Sequence, residues 1–239
     1  LSAGQVQIIA HQGASGHAPE NSLAAFEKAI ALGADWIELD VHRVEQELFI
    51  IHDYRLERTT EGKGSIYDKT VAEVRKLRLA GQYPIPTLRE VLDKVARRVK
   101  INIEIKSPDT AALVIQLVDE YVAGRGWTYS QFMLTSFNQY EILAAKQIQP
   151  RLATGVIIYG LPFGLAEFTR PLGVRALVVC IEFINSELVA SAHRHGLEII
   201  VYTVNYPDDI QRMLELGVDG IVTNYPDLAR KIIEEEGIK

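Results

Sequence analysis

The chain has 239 residues, of which 48% are hydrophobic and 23% charged, a balance that fills the core of a soluble globular protein and excludes a disordered one. Twenty-five Lys and Arg against 31 Asp and Glu give a formal net charge of -6, which argues against binding nucleic acid or an anionic membrane by bulk electrostatics. The single cysteine, Cys180, excludes an intrachain disulfide, and within the apolar run ALVVCIEF it reads as a small core residue.

No apolar run approaches the roughly 20 residues of a membrane span, and no basic region precedes a hydrophobic stretch at the N-terminus, so a cytoplasmic location is expected. Leu1 in place of Met points to a start trimmed by cloning or by processing. In chain order, β-branched runs recur as VQIIA, DWIELDV, LFIIH, KINIEIK, FMLTS, LATGVII, ALVVC, EIIVYTV and DGIVT. Between most of them lie segments of helical period such as SLAAFEKAIALG, TLREVLDKVARR, DTAALVIQLVDEYVAG and YPDDIQRMLELG,. With LFIIH counted as a continuation of the second strand, eight strand-then-helix units remain. That is the requirement of a closed (β/α)8 TIM barrel forming one domain over 1–239. A doubly wound sheet is the alternative, but no G-x-G-x-x-G opens the first helix. Residues 53–86 exceed an ordinary βα loop and read as a small insertion. Within it GKGS lacks the earlier glycine and the preceding strand of a phosphate loop, so it reads as a solvated turn.

Alternation along WIELDV sends Ile37, Leu39 and Val41 one way, toward the helices of a barrel, and Trp36, Glu38 and Asp40 the other. In KINIEIK the isoleucines likewise face out, with Asn102, Glu104 and Lys106 facing in. Unpaired inward acids are expensive to bury. From spacing alone two readings stand level: a buried salt-bridge network with Lys106 as counter-charge, and an oxygen-rich site for a hard divalent cation, Mg²⁺ or Ca²⁺. The histidines favour the cation. His11 ends the first strand and His52 ends LFIIH, both at the mouth where barrel active sites are built, and two imidazoles beside a cation divide base and acid work at neutral pH. His17 and His42 are lesser candidates at the pocket rim. His193 and His195 read as a helix end.

The stretch HQGASGHAPENSLAAFEKAIALGADWIELDVHRV…FIIHD resembles the signature of the glycerophosphodiester phosphodiesterase family, in which His-Arg-Gly, Glu-x-Asp and His follow one another along the first two strands. RTT from Arg58, IPTLREVL from Ile85, IEIK from Ile103, SFN from Ser136, YTVN from Tyr202 and GVDGIVTNYPD from Gly217 continue the match in order. The resemblance implies that Glu38, Asp40 and Glu104 bind the metal and that His11 and His52 act as general base and general acid. It further implies that Lys106 and the residue at position 12 contact phosphate, and that Asn21 and Tyr202 line the substrate pocket. The implied reaction takes a small-molecule glycerophosphodiester to glycerol 3-phosphate and an alcohol through a cyclic phosphate.

Gln12 departs from the family's arginine, offering a neutral amide where a charged fork is usual. Gly13 and Gly16 are expected to let the backbone turn close to the phosphate. Tyr202 in place of tryptophan, Asn224, and the turn EQE at Glu45 to Glu47 are milder departures, none expected to touch the catalytic set. Two other functions compete: a lysophospholipase D-type hydrolase, with an apolar channel supplied by IIYGLPFGLAEF, and a catalytically impaired metal- or phosphate-binding barrel. Retention of every acid and both main histidines argues against impairment.

Overall fold

In the computed structural model, which describes residues 6–236, the apolar run at the N-terminus forms β1 (Gln7–Ala10), and Ser22 then caps α1 (Leu23–Ala31) by accepting from the Ala25 amide,. Leu1 lies outside the described residues. β2 (Trp36–Val44) and β3 (Glu47–Ile50) precede α2 (Val71–Val74), a two-stranded ribbon of β4 (Arg78–Leu79) and β5 (Tyr83–Pro84), and α3 (Leu88–Val95). The chain continues as β6 (Lys100–Ile105), α4 (Ala111–Gly124), β7 (Phe132–Ser136), α5 (Gln139–Ile148), β8 (Ala153–Ile158) and β9 (Ala176–Cys180). It ends with α6 (Ser186–Arg194), β10 (Glu198–Tyr202), α7 (Pro207–Leu216), β11 (Gly220–Thr223) and α8 (Pro226–Glu235).

Eight of these strands are parallel and closed into the expected TIM barrel, in the order β1, β2, β6, β7, β8, β9, β10, β11, with β11 pairing back on β1. Two details differ from expectation. LFIIH does not continue the second strand: β3 runs antiparallel to β2, with Val41 opposite Ile50 and Val44 opposite Glu47. Glu45 and Gln46 make the reversal, Glu45 with φ 56, so a two-residue hairpin stands where one strand was expected. Between β8 and β9 the helix is replaced by a 3₁₀ segment, Leu165–Leu172, containing Pro171, which lacks the amide an α-helix interior requires.

Alternation sorts the side chains. Ile37, Leu39, Val41, Ile101, Ile103 and Ile105 are buried against the helices, among them the faces of α3 and α4. Ile9, Trp36, Met133, Val178, Ile200 and Val222 fill the lower barrel interior, and Trp127 packs on Phe132 in the outer core at 4.9 Å. Residues 53–86 carry a small core of their own, Leu56, Ile66, Val74 and Leu79 closing on Phe49 and Ile51 of the hairpin. No helix among the described residues is long and apolar enough to cross a membrane.

Candidate active site

The parallel register sets Asp40 of β2 beside Glu104 of β6, with Glu38 beside Asn102 one step lower, all facing in near the strands' C-terminal ends. One oxygen from each of Glu38, Asp40 and Glu104 lies within 4.8 Å of the others. Each oxygen set is held differently. Glu38 Oε2 accepts from the Gln12 amide at 2.9 Å, while Glu38 Oε1 is buried with no hydrogen-bond partner. Asp40 Oδ2 accepts from Gln12 Nε2 at 2.9 Å and Asn21 Nδ2 at 2.8 Å. Lys106 Nζ bonds Glu104 Oε1 at 2.7 Å and lies 3.4 Å from Asp40 Oδ1.

Both readings left level by the spacing are therefore present in part. Lys106 is a counter-charge, yet three ionised carboxylates against one ammonium would leave the cluster two charges short of neutral, a deficit that protons on Glu38 and Glu104 meet in part unless a cation does. Burial first, then the charge of Asp40, pushes Glu104 up to about 7; burial and the charges of Asp40 and Glu104 push Glu38 well up too. Burial acts the same way on Asp40 but is outweighed by Lys106, the histidines and Asn21, so its carboxyl lies below the ordinary range. An orphaned buried oxygen, an all-oxygen donor set and a double charge deficit fit a hard divalent cation.

His11 follows β1 at the mouth. Its Nδ1 is 2.8 Å from Asn224 Oδ1, which also accepts from Ser15 Oγ at 3.0 Å, and the Asn224 amide is tied to Asn205 Oδ1 at 2.8 Å. A carbonyl oxygen only accepts, so Nδ1 carries the proton and Nε2 keeps its lone pair. Burial lowers the His11 pKa, partly offset by Asp40 and Asn224,. Asn224, expected to leave the catalytic set untouched, is in fact the partner of His11.

His52 reaches the same mouth because β3 folds back: the Ile51 amide donates to the Asp40 carbonyl at 3.1 Å. Its Nδ1 is 2.5 Å from Asp53 Oδ1, Asp53 Oδ2 accepts from Arg58 Nε at 2.5 Å, and Arg58 forks onto Glu20 at 2.8 and 2.6 Å. Burial raises the Asp53 pKa, but the bonds from Arg58 and His52 outweigh it and the carboxyl stays low. Asp53 and Arg58 join the site beyond the residues expected from the sequence. An acid directly following a strand-end histidine was the available signal for Asp53.

Several of the expected contact residues are engaged within the protein. Asn21 has no exposed surface and donates from Nδ2 to Asp40. Gln12 is buried, with φ 54, and spends its amide on Asp40. The Gly13 and Gly16 positions answer to packing: a Cβ on Gly13 would stand 2.6 Å from the Ala25 backbone, and one on Gly16 2.2 Å from the Tyr225 ring. His42 is buried and structural, donating from Nε2 to the His52 carbonyl at 3.0 Å and bonding the Tyr67 hydroxyl at 2.8 Å through Nδ1. His17 pairs with Asp227 at 2.9 Å. Tyr202, half-buried, donates to the Ile158 carbonyl at 3.0 Å and sets its ring edge-to-face with Phe137 at 6.2 Å.

His52, Asp53, Tyr54, Tyr67 and Lys106 line a mouth cavity of about 420 Å³. A cavity of about 320 Å³ at the opposite end, lined by Trp36, Lys100, Asn102 and Arg175 among others, holds neither candidate histidine nor the acid cluster.

Residues 11–228 match the model of the glycerophosphoryl diester phosphodiesterase family. The chain is 34% identical to a glycerophosphodiester phosphodiesterase of Caldanaerobacter subterraneus subsp. tengcongensis, over 96% of this chain and 98% of that one. It is 32% identical to a glycerophosphodiester phosphodiesterase of Bacillus subtilis, over 97% and 88%. Among solved structures, an Oleispira antarctica phosphodiesterase in complex with the product sn-glycerol-3-phosphate is similar with a TM-score of 0.87 at 28% identity, covering 95% of this chain and 96% of that one.

Proposed function

Because the chain belongs to the glycerophosphoryl diester phosphodiesterase family, we propose that its barrel mouth hydrolyses glycerophosphodiesters to glycerol 3-phosphate and an alcohol, with His11 as general base and His52 as general acid. The chain is a phosphodiesterase. The observation that carries the division of labour is the contrast between the two imidazoles' partners, a neutral amide for His11 and a carboxylate for His52.

Glu38, Asp40 and Glu104 would hold the divalent ion, Mg²⁺ or Ca²⁺ by their oxygen chemistry. When bound, it neutralises phosphate charge and favours ionisation of the glycerol 2-hydroxyl. His11, kept neutral by burial with Nε2 free, accepts that hydroxyl's proton as the oxygen attacks phosphorus. His52 delivers a proton to the leaving alcohol, its positive charge compensated by Asp53. Water then opens the cyclic phosphate with the two roles exchanged. Lys106 turns from the acids toward the phosphate, and Gln12 and Asn21 keep Asp40 oriented as second partners to the ion site. Attack from within the substrate supplies much of the rate, since well-placed intramolecular nucleophiles reach effective molarities of about 10⁵ to 10⁸ M.

An assay of released choline tests this on glycerophosphocholine and its 2-deoxy analogue, each with and without EDTA, with glycerol 3-phosphate identified as the second product of the first. Release is expected from the first alone, and EDTA is expected to stop it. Equal turnover of the two compounds would end the cyclic route, and EDTA-insensitive turnover would end the role of the acids.

A further inference from the structure

The exposed apolar side chains of this protein are gathered on one face. Of the ten large apolar or aromatic residues with the most exposed surface among those described, all but Ile148 lie on the connections or first helical turns above the strands' C-terminal ends. Phe163 is 105% exposed, Tyr140 82%, Tyr206 71% and Tyr159 65%. They come from separate elements: Tyr140 opens α5, Tyr206 precedes α7, and Tyr159, Leu161 and Phe163 share the turn after β8. The set therefore rings the opening in a plane across the barrel axis; it does not line one groove.

From this ring we infer that the protein docks its mouth against a zwitterionic lipid surface. Tyrosine settles at a membrane interface with its ring inward and its hydroxyl in the headgroup layer, and exposed Phe163 and Leu161 add purely apolar surface beneath it,. The charges among them make no basic patch: Arg55 pairs with Glu57 at 2.8 Å and Arg170 with Glu167 at 3.9 Å, Tyr159 donates to Glu182 at 2.9 Å, and Asp208 and Asp209 follow Tyr206. That mixture suits phosphocholine-type headgroups and offers nothing to an anionic leaflet, in keeping with the chain's formal charge of -6,. A second copy on this face is disfavoured by geometry, because a two-fold contact there would close both mouths on each other. The ring is continuous with the active site, Lys106 standing 5.9 Å over the Phe137 ring at its inner edge. A lipid-borne phosphodiester would thus meet the histidines without leaving the surface. Docking itself does not depend on the hydrolytic reading.

The test is co-sedimentation of the full chain with phosphatidylcholine vesicles, and separately with phosphatidylglycerol vesicles, at 0.15 and 1 M salt, with light scattering of the protein alone, beside the doubly substituted Leu161→Ser, Phe163→Ser protein. Wild type is expected to sediment equally at both salts, and the variant's bound fraction to fall at least tenfold. Its hydrolysis of water-soluble glycerophosphocholine should stay within twofold, showing an intact fold. No binding by wild type, equal binding by the variant, binding confined to anionic vesicles, or a wild-type dimer that the variant dissolves would each overturn the inference. Loss of hydrolysis in both proteins would sink the catalytic reading and leave the vesicle result standing.

Discussion

Along β2 the barrel interior changes character within four residues, about 13 Å of strand. At the foot Trp36 is buried among Ile9, Met133 and Ile200, its ring covered by Lys100 Nζ at 5.1 Å. At the mouth Asp40 stands among two further carboxylates, with a buried oxygen of Glu38 left unpartnered. The same pleat and the same closed sheet produce both environments. The foot contributes apolar burial, while the mouth carries like charges that only an ion, a lysine or protons can offset. Stability and chemistry are thus separated along the barrel axis, the usual division of labour in this fold.

The sharpest break of that division comes from exchanging one residue at each end. Asp40→Asn removes a charge that Gln12, Asn21 and Lys106 all serve, and kcat/KM for glycerophosphocholine is expected to fall by about 10² to 10³ or more, the scale of losing a preorganised electrostatic contact. Its resistance to urea in chelator should fall only modestly, because the loss of a well-partnered carboxylate is offset by relief of Glu38 and Glu104, which the charge of Asp40 pushes up,. Trp36→Ala should do the reverse: a loss of about 3–5 kcal/mol in urea unfolding, with kcat/KM of the folded protein within twofold of wild type. If Asp40→Asn destabilises as much as Trp36→Ala, the two ends are not separable.

The division was partly legible in the amino-acid sequence because period-2 alternation is a local signal. The inward Glu38, Asp40 and Glu104 and the outward isoleucines could be read directly from it. What escaped reading was set by distant or weakly marked contacts. Glu45 and Gln46 turn the chain without the Asn-Gly or Asp-Gly pair that announces a hairpin, so β3 looked like more of β2, although His52 still lands at the mouth. Asn224 lies 213 residues from His11, and no spacing rule joins them. A phosphate contact at Gln12 is implied only by the resemblance, through the arginine usual at that position. That a left-handed φ turns its side chain onto Asp40 is visible only in three dimensions.

A smaller effect sharpens the comparison through pH. Glu104 is raised from 4.5 to about 7 in the folded chain. Between those values the unfolded chain has released its proton and the folded one has not, so stability falls as pH rises through this window, by at most about 3 kcal/mol for this group. Half-buried His11 and buried His42, with pKa values lowered by desolvation, tilt stability the opposite way near pH 6. The comparison is therefore wild type minus Glu104→Gln in chelator, followed by thermal unfolding from pH 4 to 8. The difference should shrink as pH falls and disappear below about 4.5. Saturating Mg²⁺ or Ca²⁺ should raise the wild-type Tm more at pH 8 than at pH 5.5. A pH-independent difference would mean that Glu104 is not the strained acid.

The smallest expected effect is the most discriminating, because it asks which end of the electrostatic balance Gln12 serves. Gln12→Arg would set a guanidinium where an amide now donates to Asp40. A charge-assisted bond to phosphate is worth about 1.5–3 kcal/mol in a favourable site. Part of that gain is lost, because the new charge also lies against acids whose double deficit attracts the ion. At saturating ion kcat/KM for glycerophosphocholine is expected to rise by up to about tenfold, roughly 1.4 kcal/mol. The ion concentration giving half-maximal activity should rise as well, since a fixed cation competes for the same carboxylates. Gln12→Ala supplies the control, losing the Asp40 contact without adding charge. If Gln12→Arg lowers kcat/KM at every ion concentration, the buried amide is a fitted support of Asp40 and the mouth has been rebuilt around it. If it raises kcat/KM while leaving the ion requirement unchanged, the arginine reaches phosphate without entering the acids' field, and the charge deficit assigned to the cluster is too large.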